Sequence, residues 1–118
     1  YPGTGRASET GAHGQVMNVP LPPGSDGAQA RVAWRQITNR LRDHAPQLVI
    51  VSAGFDAHAA DPLASLEWQE DDFAAITRMI CDAAGAAPVV SVLEGGYDLA
   101  ALGRSARAHV TALEGTGP

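Results

Sequence analysis

The stretch LVIVSAGFDAHAADPL at residues 48–63 joins a continuous apolar run to a loop that contains glycine, aspartate and histidine. A second stretch of the same design, VVSVLEGGYD, occupies residues 89–98. Short β-branched runs of this kind are typical of strands that are covered on both faces in a parallel sheet. The two stretches therefore predict two buried strands, each followed by a polar loop.

Amphipathic segments flank both predicted strands. Apolar residues recur at helical spacing from Ala28 onward, after Asp26 or Ser25 as the predicted N-cap. Two more helices are predicted, over residues 70–84 and 99–113. Because the helices alternate with the strands, the sequence predicts an α/β fold with a parallel sheet.

The chain divides into two parts by composition. Residues 1–27 are rich in glycine and proline and predict a loop-rich arm, apart from a short extended segment around residues 16–21. Residues 28–118 carry the alternating helices and strands. The start at Tyr1 has neither an initiator methionine nor a signal-peptide core, so we expect the chain to be a piece of a longer one.

Charge and composition exclude several classes of protein. The 118 residues include 8 Lys+Arg and 13 Asp+Glu, a net charge of −5, which disfavours binding to nucleic acid. No apolar run reaches the roughly 18 residues needed to cross a membrane. The single cysteine, Cys81, favours a reducing compartment, so we expect a cytoplasmic protein.

The loop after the first strand contains three candidate polar side chains. Asp56 follows a glycine at the end of the strand, where a carboxylate can bind a divalent ion. Asp56 and His58 form an Asp-x-His pair, which fits zinc but equally fits helix capping or contact with water. For Asp61, the following Pro62 favours a turn in which the carboxylate accepts backbone N–H groups.

The loop after the second strand contains Gly95, Gly96 and Tyr97. Glycine allows backbone to pass close to a ligand, and a phenol there can donate a hydrogen bond to a developing oxyanion. The alternative is that the Tyr97 ring packs on the last helix. The spacing does not match a phosphate-binding loop. The remaining histidines are interpreted as structural or solvent-facing: His13, His44 and His109.

Five blocks of sequence together resemble one known family in order and spacing. They are YPGTG at 1–5, NVPL at 18–21, SAGFDAH at 52–58, DPL at 61–63 and LEGGYD at 93–98. The chain resembles the zinc-dependent histone deacetylases, on the bacterial, class II-like side that includes acetylpolyamine amidohydrolases. The resemblance implies the C-terminal part of an arginase/deacetylase-like, three-layer domain with a parallel sheet.

The resemblance also implies roles for individual residues. Asp56 matches the second aspartate of the family's zinc site, and Tyr97 matches the tyrosine that polarises the acetyl carbonyl. Tyr1 would line the acyl-lysine tunnel and Leu63 would lie at its rim. The glycines of the second loop, Gly95 and Gly96, would shape the wall beside the acyl group.

Other parts of the family pattern lie outside this sequence. The paired histidines and the Asp-x-His block that supplies the other zinc ligands would precede Tyr1, and His58 is only a loop neighbour in the resemblance. After Leu63, Ala64 and Ser65 replace a glycine pair common in class II relatives. We therefore expect the isolated chain to be inactive, with exposed apolar surface and a tendency to self-associate.

Three functions stay open at this point. The first is part of a deacetylase that hydrolyses the acetyl amide of acetyl-lysine or acetylpolyamine. The second is a non-catalytic interaction module derived from that fold. The third is an unrelated, metal-free α/β binding domain in which the loop residues are structural.

Overall fold

A computed structural model describes residues 2–115 and confirms the predicted order of elements. These are α1 (Gly27–His44), β1 (Val49–Ala53), α2 (Glu70–Ala84), β2 (Val89–Leu93) and α3 (Leu99–Leu113). The segment at residues 16–21 contains neither helix nor strand, so it adds nothing to the sheet. No helix among the described residues is long and apolar enough to span a bilayer.

The sheet consists of β1 and β2, which pair in parallel from Val49 opposite Val89 to Ala53 opposite Leu93. All three helices lie on one face, where Val49 and Ala53 are buried. The other face carries exposed apolar side chains: Ile50 is 64% exposed, Val90 49% and Val92 49%. The prediction that both faces are covered is therefore wrong for residues 2–115, because no described segment packs on the second face.

The start of α1 follows from its capping residues. Asp26 is the N-cap and accepts hydrogen bonds from the backbone N–H groups of Ala28 and Gln29, while its own N–H is bonded to the Gln29 side chain. The first helical residue is Gly27, one position before the prediction. A Cβ there would lie 2.0 Å from Asp72 Oδ1, so only glycine lets α1 approach α2 this closely.

The core lies between the sheet and the central helix α2, which contacts both α1 and α3. One cluster joins α1, β1 and α2 through Ala30, Val49, Ile76, Ile80 and Ala84. A second cluster of Ala53, Phe55 and Phe73 lies under the loop that follows β1. This packing fixes the carboxyl ends of both strands, where the candidate site begins.

Candidate functional site

The loops that follow the two strands are hydrogen-bonded to each other. The Glu94 N–H donates to the Ala53 carbonyl at 2.9 Å, and the Phe55 N–H donates to the Gly95 carbonyl at 2.8 Å. These bonds extend the parallel pairing past the strand ends. The structure thus brings together the two loops that the sequence singled out, at the edge where α/β folds bind ligands.

Asp56 lies between glycines from both loops. A Cβ on Gly54 would come within 3.1 Å of Asp56 Oδ1, and a Cβ on Gly95 would come within 3.1 Å of Asp56 Cγ. Larger residues at either position would crowd the carboxylate. Asp56 is half-buried, and the hydrogen bonds formed by the two loops within residues 2–115 do not involve its carboxylate. Its oxygens are therefore available to a ligand.

The Asp56 carboxylate is suited to be one of the protein ligands of a metal ion. Within residues 2–115 no group of three His, Cys, Asp or Glu side chains has the arrangement of a metal site. Asp56 offers one carboxylate in an open, glycine-lined position, which suits an oxygen ligand to zinc. Any further ligands would have to come from outside the described residues.

His58 does not pair with Asp56. Its Nε2 lies 3.1 Å from Glu70 Oε2, and its Nδ1 accepts the Ala60 N–H at 3.0 Å. Both ring nitrogens are therefore engaged, and the ring is buried. The geometry favours the interpretation of His58 as a structural loop residue over that of an Asp-x-His zinc pair.

Glu70 links the first loop to the helices, a contact that the sequence did not predict. Its carboxylate is paired with His58 and with the Arg104 guanidinium of α3. The Arg104 hydrogen bond, the backbone N–H of Glu70 and the His58 ring together lower the pKa of Glu70 to about 2. Helical spacing alone gives no sign of this pairing, because Glu70 and its two partners lie on three different elements.

Tyr97 presents an exposed side chain on a fixed backbone. The residue is 54% exposed, so its ring is not buried against α3. The Tyr97 N–H donates to Asp61 Oδ2 at 2.8 Å. The next residue, Asp98, is the N-cap of α3 and accepts the Ala101 N–H at 2.9 Å.

The Asp61 turn is confirmed. Asp61 Oδ1 accepts the N–H groups of Leu63 at 2.9 Å and Ala64 at 3.3 Å. Burial favours the neutral acid, but bonds from four backbone N–H groups, Tyr97 among them, outweigh it and lower the pKa of Asp61. The bond to Tyr97 was not predicted, since the two residues are 36 positions apart.

The other candidate residues surround these loops. Leu63 is 71% exposed just after the Asp61 turn, as a residue at a rim would be. Gly96 has a φ of +133°, and a Cβ there would lie 3.0 Å from Leu102 Cδ1 and 3.2 Å from Phe55 Cβ. Glycine is thus required at this position for two reasons. Tyr1 lies outside the described residues.

Comparison with known proteins gives consistent matches. The family model described as the histone deacetylase domain matches residues 1–113. Type-2 histone deacetylase 1 of Dictyostelium discoideum is 40% identical over 103 residues, which cover 85% of this chain and 7% of that protein. The histone deacetylase-like amidohydrolase of Pseudomonas aeruginosa is 40% identical over 101 residues, covering 82% of this chain and 27% of that protein.

A solved structure shows the same fold. The crystal structure of acetylpolyamine aminohydrolase from Burkholderia pseudomallei matches with a TM-score of 0.88 and 31% identity, over 96% of this chain and 34% of that chain. The present chain therefore spans about a third or less of the length of these relatives. The fold, the matched family model and the level of identity agree. The chain belongs to the histone deacetylase family.

Proposed function

We propose that this chain is the C-terminal part of a zinc-dependent deacetylase that hydrolyses the acetyl amide of acetyl-lysine or an acetylpolyamine. The observation that carries the proposal is the hydrogen-bonded pair of loops that hold Asp56 and Tyr97 at one edge of the sheet. The matched relatives, a histone deacetylase-like amidohydrolase and an acetylpolyamine aminohydrolase, support the reaction class. Because those relatives are longer, the activity belongs to a longer protein.

Asp56 has the role of a zinc ligand in this proposal, together with ligands from outside residues 2–115. When bound, zinc supplies a Lewis acid that polarises the acetyl carbonyl and makes water a stronger nucleophile. Gly54 and Gly95 keep the carboxylate accessible. Asp56 would hold the ion through a carboxylate oxygen, and the Tyr97 phenol would contact the substrate.

Tyr97 donates a hydrogen bond from its phenol to the acetyl oxygen. The bond strengthens as negative charge develops on that oxygen, so it stabilises the transition state more than the substrate. Its exposed ring and hydrogen-bonded backbone suit this task. Leu63 contacts the substrate at the rim, and Gly95 and Gly96 form the wall beside the acyl group.

The isolated 118-residue chain is inactive under this proposal. A single carboxylate cannot hold zinc tightly, since zinc sites in enzymes use three protein ligands. Zinc added to the purified chain should therefore be removed by gel filtration. Retention of one zinc ion per chain, with hydrolysis of an acetylated peptide, would contradict this expectation.

The main test uses the complete natural reading frame that contains this chain. Deacetylation of an acetyl-lysine peptide and of an acetylated polyamine is measured for the wild type and for Tyr97→Phe and Asp56→Asn. We expect Tyr97→Phe to lower kcat about 100-fold or more with zinc retained, as for loss of one oxyanion donor. Asp56→Asn should lower the bound zinc as well as the rate.

Asp43→Asn is the matched control, because Asp43 is an exposed carboxylate near the end of α1. It should leave zinc content and rate unchanged. The proposal is overturned if deacetylation of both substrates survives Tyr97→Phe and Asp56→Asn. A complete protein with neither zinc nor activity would instead favour the interaction-module alternative.

A further inference from the structure

Asp61 is the only described side chain that bonds both candidate loops at once. Its Oδ1 accepts the N–H groups of Leu63 and Ala64, and its Oδ2 accepts the N–H of Tyr97 at 2.8 Å. The residue is buried, so water competes little with these bonds. One carboxylate thus fixes the backbone at the proposed rim and the backbone of the proposed catalytic tyrosine.

The neighbours of Tyr97 show why this bond matters. Gly96 is confined between Leu102 and Phe55, and Asp98 caps α3. Between them, Tyr97 has a side chain that is more than half exposed. Within residues 2–115 its N–H has Asp61 as its hydrogen-bond acceptor, so Asp61 limits how far this backbone can shift.

We propose that Asp61 is a positioning residue, which acts through Tyr97 by holding its backbone so that the phenol meets the acetyl oxygen. This inference rests on the proposed function. Asp61 does not touch substrate and is not catalytic itself. Its carboxylate is suited to the task because two oxygens can serve N–H donors that approach from two different loops.

Asp61→Asn removes the hydrogen bond to Tyr97 but keeps the bonds that form the Asp61 turn. The amide oxygen of asparagine still accepts the Leu63 and Ala64 N–H groups, as in an Asx turn. Its NH₂ group then faces the Tyr97 N–H, and two donors cannot bond each other. A second variant, Asp61→Ser, keeps a short turn acceptor but cannot reach Tyr97. Asp26→Asn is the control, because Asp26 also accepts two backbone N–H groups but caps α1.

The test is a double-mutant cycle in the complete protein, with kcat and KM measured for Asp61→Asn, Tyr97→Phe and the double variant. Misplacement of a reacting group by about 1 Å costs roughly 100-fold in rate, so we expect Asp61→Asn to lower kcat about 10- to 100-fold. KM should change less than about twofold, because the loss falls on the transition state. The double variant should be no slower than Tyr97→Phe alone.

Hydrogen exchange supplies a readout that does not depend on activity. In Asp61→Asn and Asp61→Ser, the Tyr97 amide should exchange faster, whereas amides of α2 stay protected if the fold is intact. Asp26→Asn should change neither the rate nor the Tyr97 amide. Unchanged protection of Tyr97 in both Asp61 variants would overturn the inference.

The cycle distinguishes failure of the inference from failure of the proposed function. Suppose that Tyr97→Phe lowers kcat, and that Asp61→Asn then lowers the kcat of the Tyr97→Phe protein by the same factor by which it lowers that of the wild type. Asp61 then acts independently of Tyr97, and the inference alone is overturned. If Tyr97→Phe leaves kcat unchanged, the role proposed for Tyr97 is overturned, and the inference with it; the deacetylase function itself fails only if activity also survives Asp56→Asn.

Discussion

His109 shows how single residues tie the helices to the sheet. Its Nδ1 lies 2.7 Å from Thr77 Oγ1 and its Nε2 lies 2.7 Å from Ser91 Oγ. Because Thr77 gives its only hydroxyl proton to the Phe73 carbonyl at 2.6 Å, it must accept from Nδ1–H of His109. In the neutral ring, Nε2 then accepts the Ser91 hydroxyl, so both ring nitrogens are bonded without a charge.

This arrangement predicts a stability that depends on pH. Burial lowers the pKa of His109 below its ordinary value of 6.5. As the pH falls below that value, the unfolded chain takes up a proton that the folded chain resists, so the free energy of unfolding decreases. The slope from this one group is at most about 1.4 kcal/mol per pH unit.

Urea unfolding of the wild type and His109→Gln between about pH 7.5 and pH 5 tests whether acidification lowers the free energy of unfolding. The wild type should lose more stability on acidification than His109→Gln. His44→Gln is the control for removal of an imidazole, because His44 is exposed at the end of α1. Equal slopes for the wild type and His109→Gln would contradict the assignment.

At the scale of elements, Glu70 joins α2, α3 and the loop after β1. Glu70→Gln removes the charge that pairs with Arg104 and His58. We expect a loss of about 1 kcal/mol in the free energy of unfolding near pH 7, kept small because Arg104 is exposed and water screens that pair. The extra free energy of unfolding of the wild type over Glu70→Gln should be present above pH 4.5 and be lost as the pH falls toward 2.

Asp71→Asn is the control for Glu70→Gln, because Asp71 is exposed in the same first turn of α2. Both changes remove one negative charge from the helix N-terminus, so they share the dipole contribution. Chemical unfolding at pH 7 and pH 3 compares the two. If both variants lose the same stability at both pH values, the network of Glu70, His58 and Arg104 contributes nothing to the free energy of unfolding.

Local patterns predicted the elements but not the contacts between them. The bounds of α2, Glu70–Ala84, were predicted in full because apolar periodicity and Gly85 act within a few residues. The continuous apolar run LVIV at residues 48–51 predicts the first strand, but β1 covers residues 49–53, because its pairing with β2 continues to Ala53. The Asp61 turn was predicted on the same local basis.

The contacts that build the site lie beyond the reach of local patterns. The bond from Tyr97 to Asp61 depends on which strands pair and on how far the pairing continues past their ends. The same holds for His58 and Glu70, which are 12 positions apart. The roles of Asp56 and Tyr97 came from family resemblance, and they stay predictions until the variants are measured.

The whole molecule has one apolar face without a cover. Ile50, Val90 and Val92 lie side by side there, because Ile50 pairs with Val90 and Ser52 with Val92. Among residues 2–115, each strand also has one unpaired edge. Exposed apolar patches and free edges favour association with another surface.

We therefore expect the purified chain to self-associate through this face, as the sequence predicted. The double variant Ile50→Lys, Val92→Lys places two like charges on the face and should shift the chain toward monomer, because association would bury both charges. Val32→Lys is the control, since Val32 is equally exposed but lies on α1, away from the open face. Size-exclusion chromatography with light scattering over a range of concentrations measures the mass of each. A wild-type chain that is monomeric at all concentrations would contradict the prediction. So would a Val32→Lys variant that dissociates as much as the double variant.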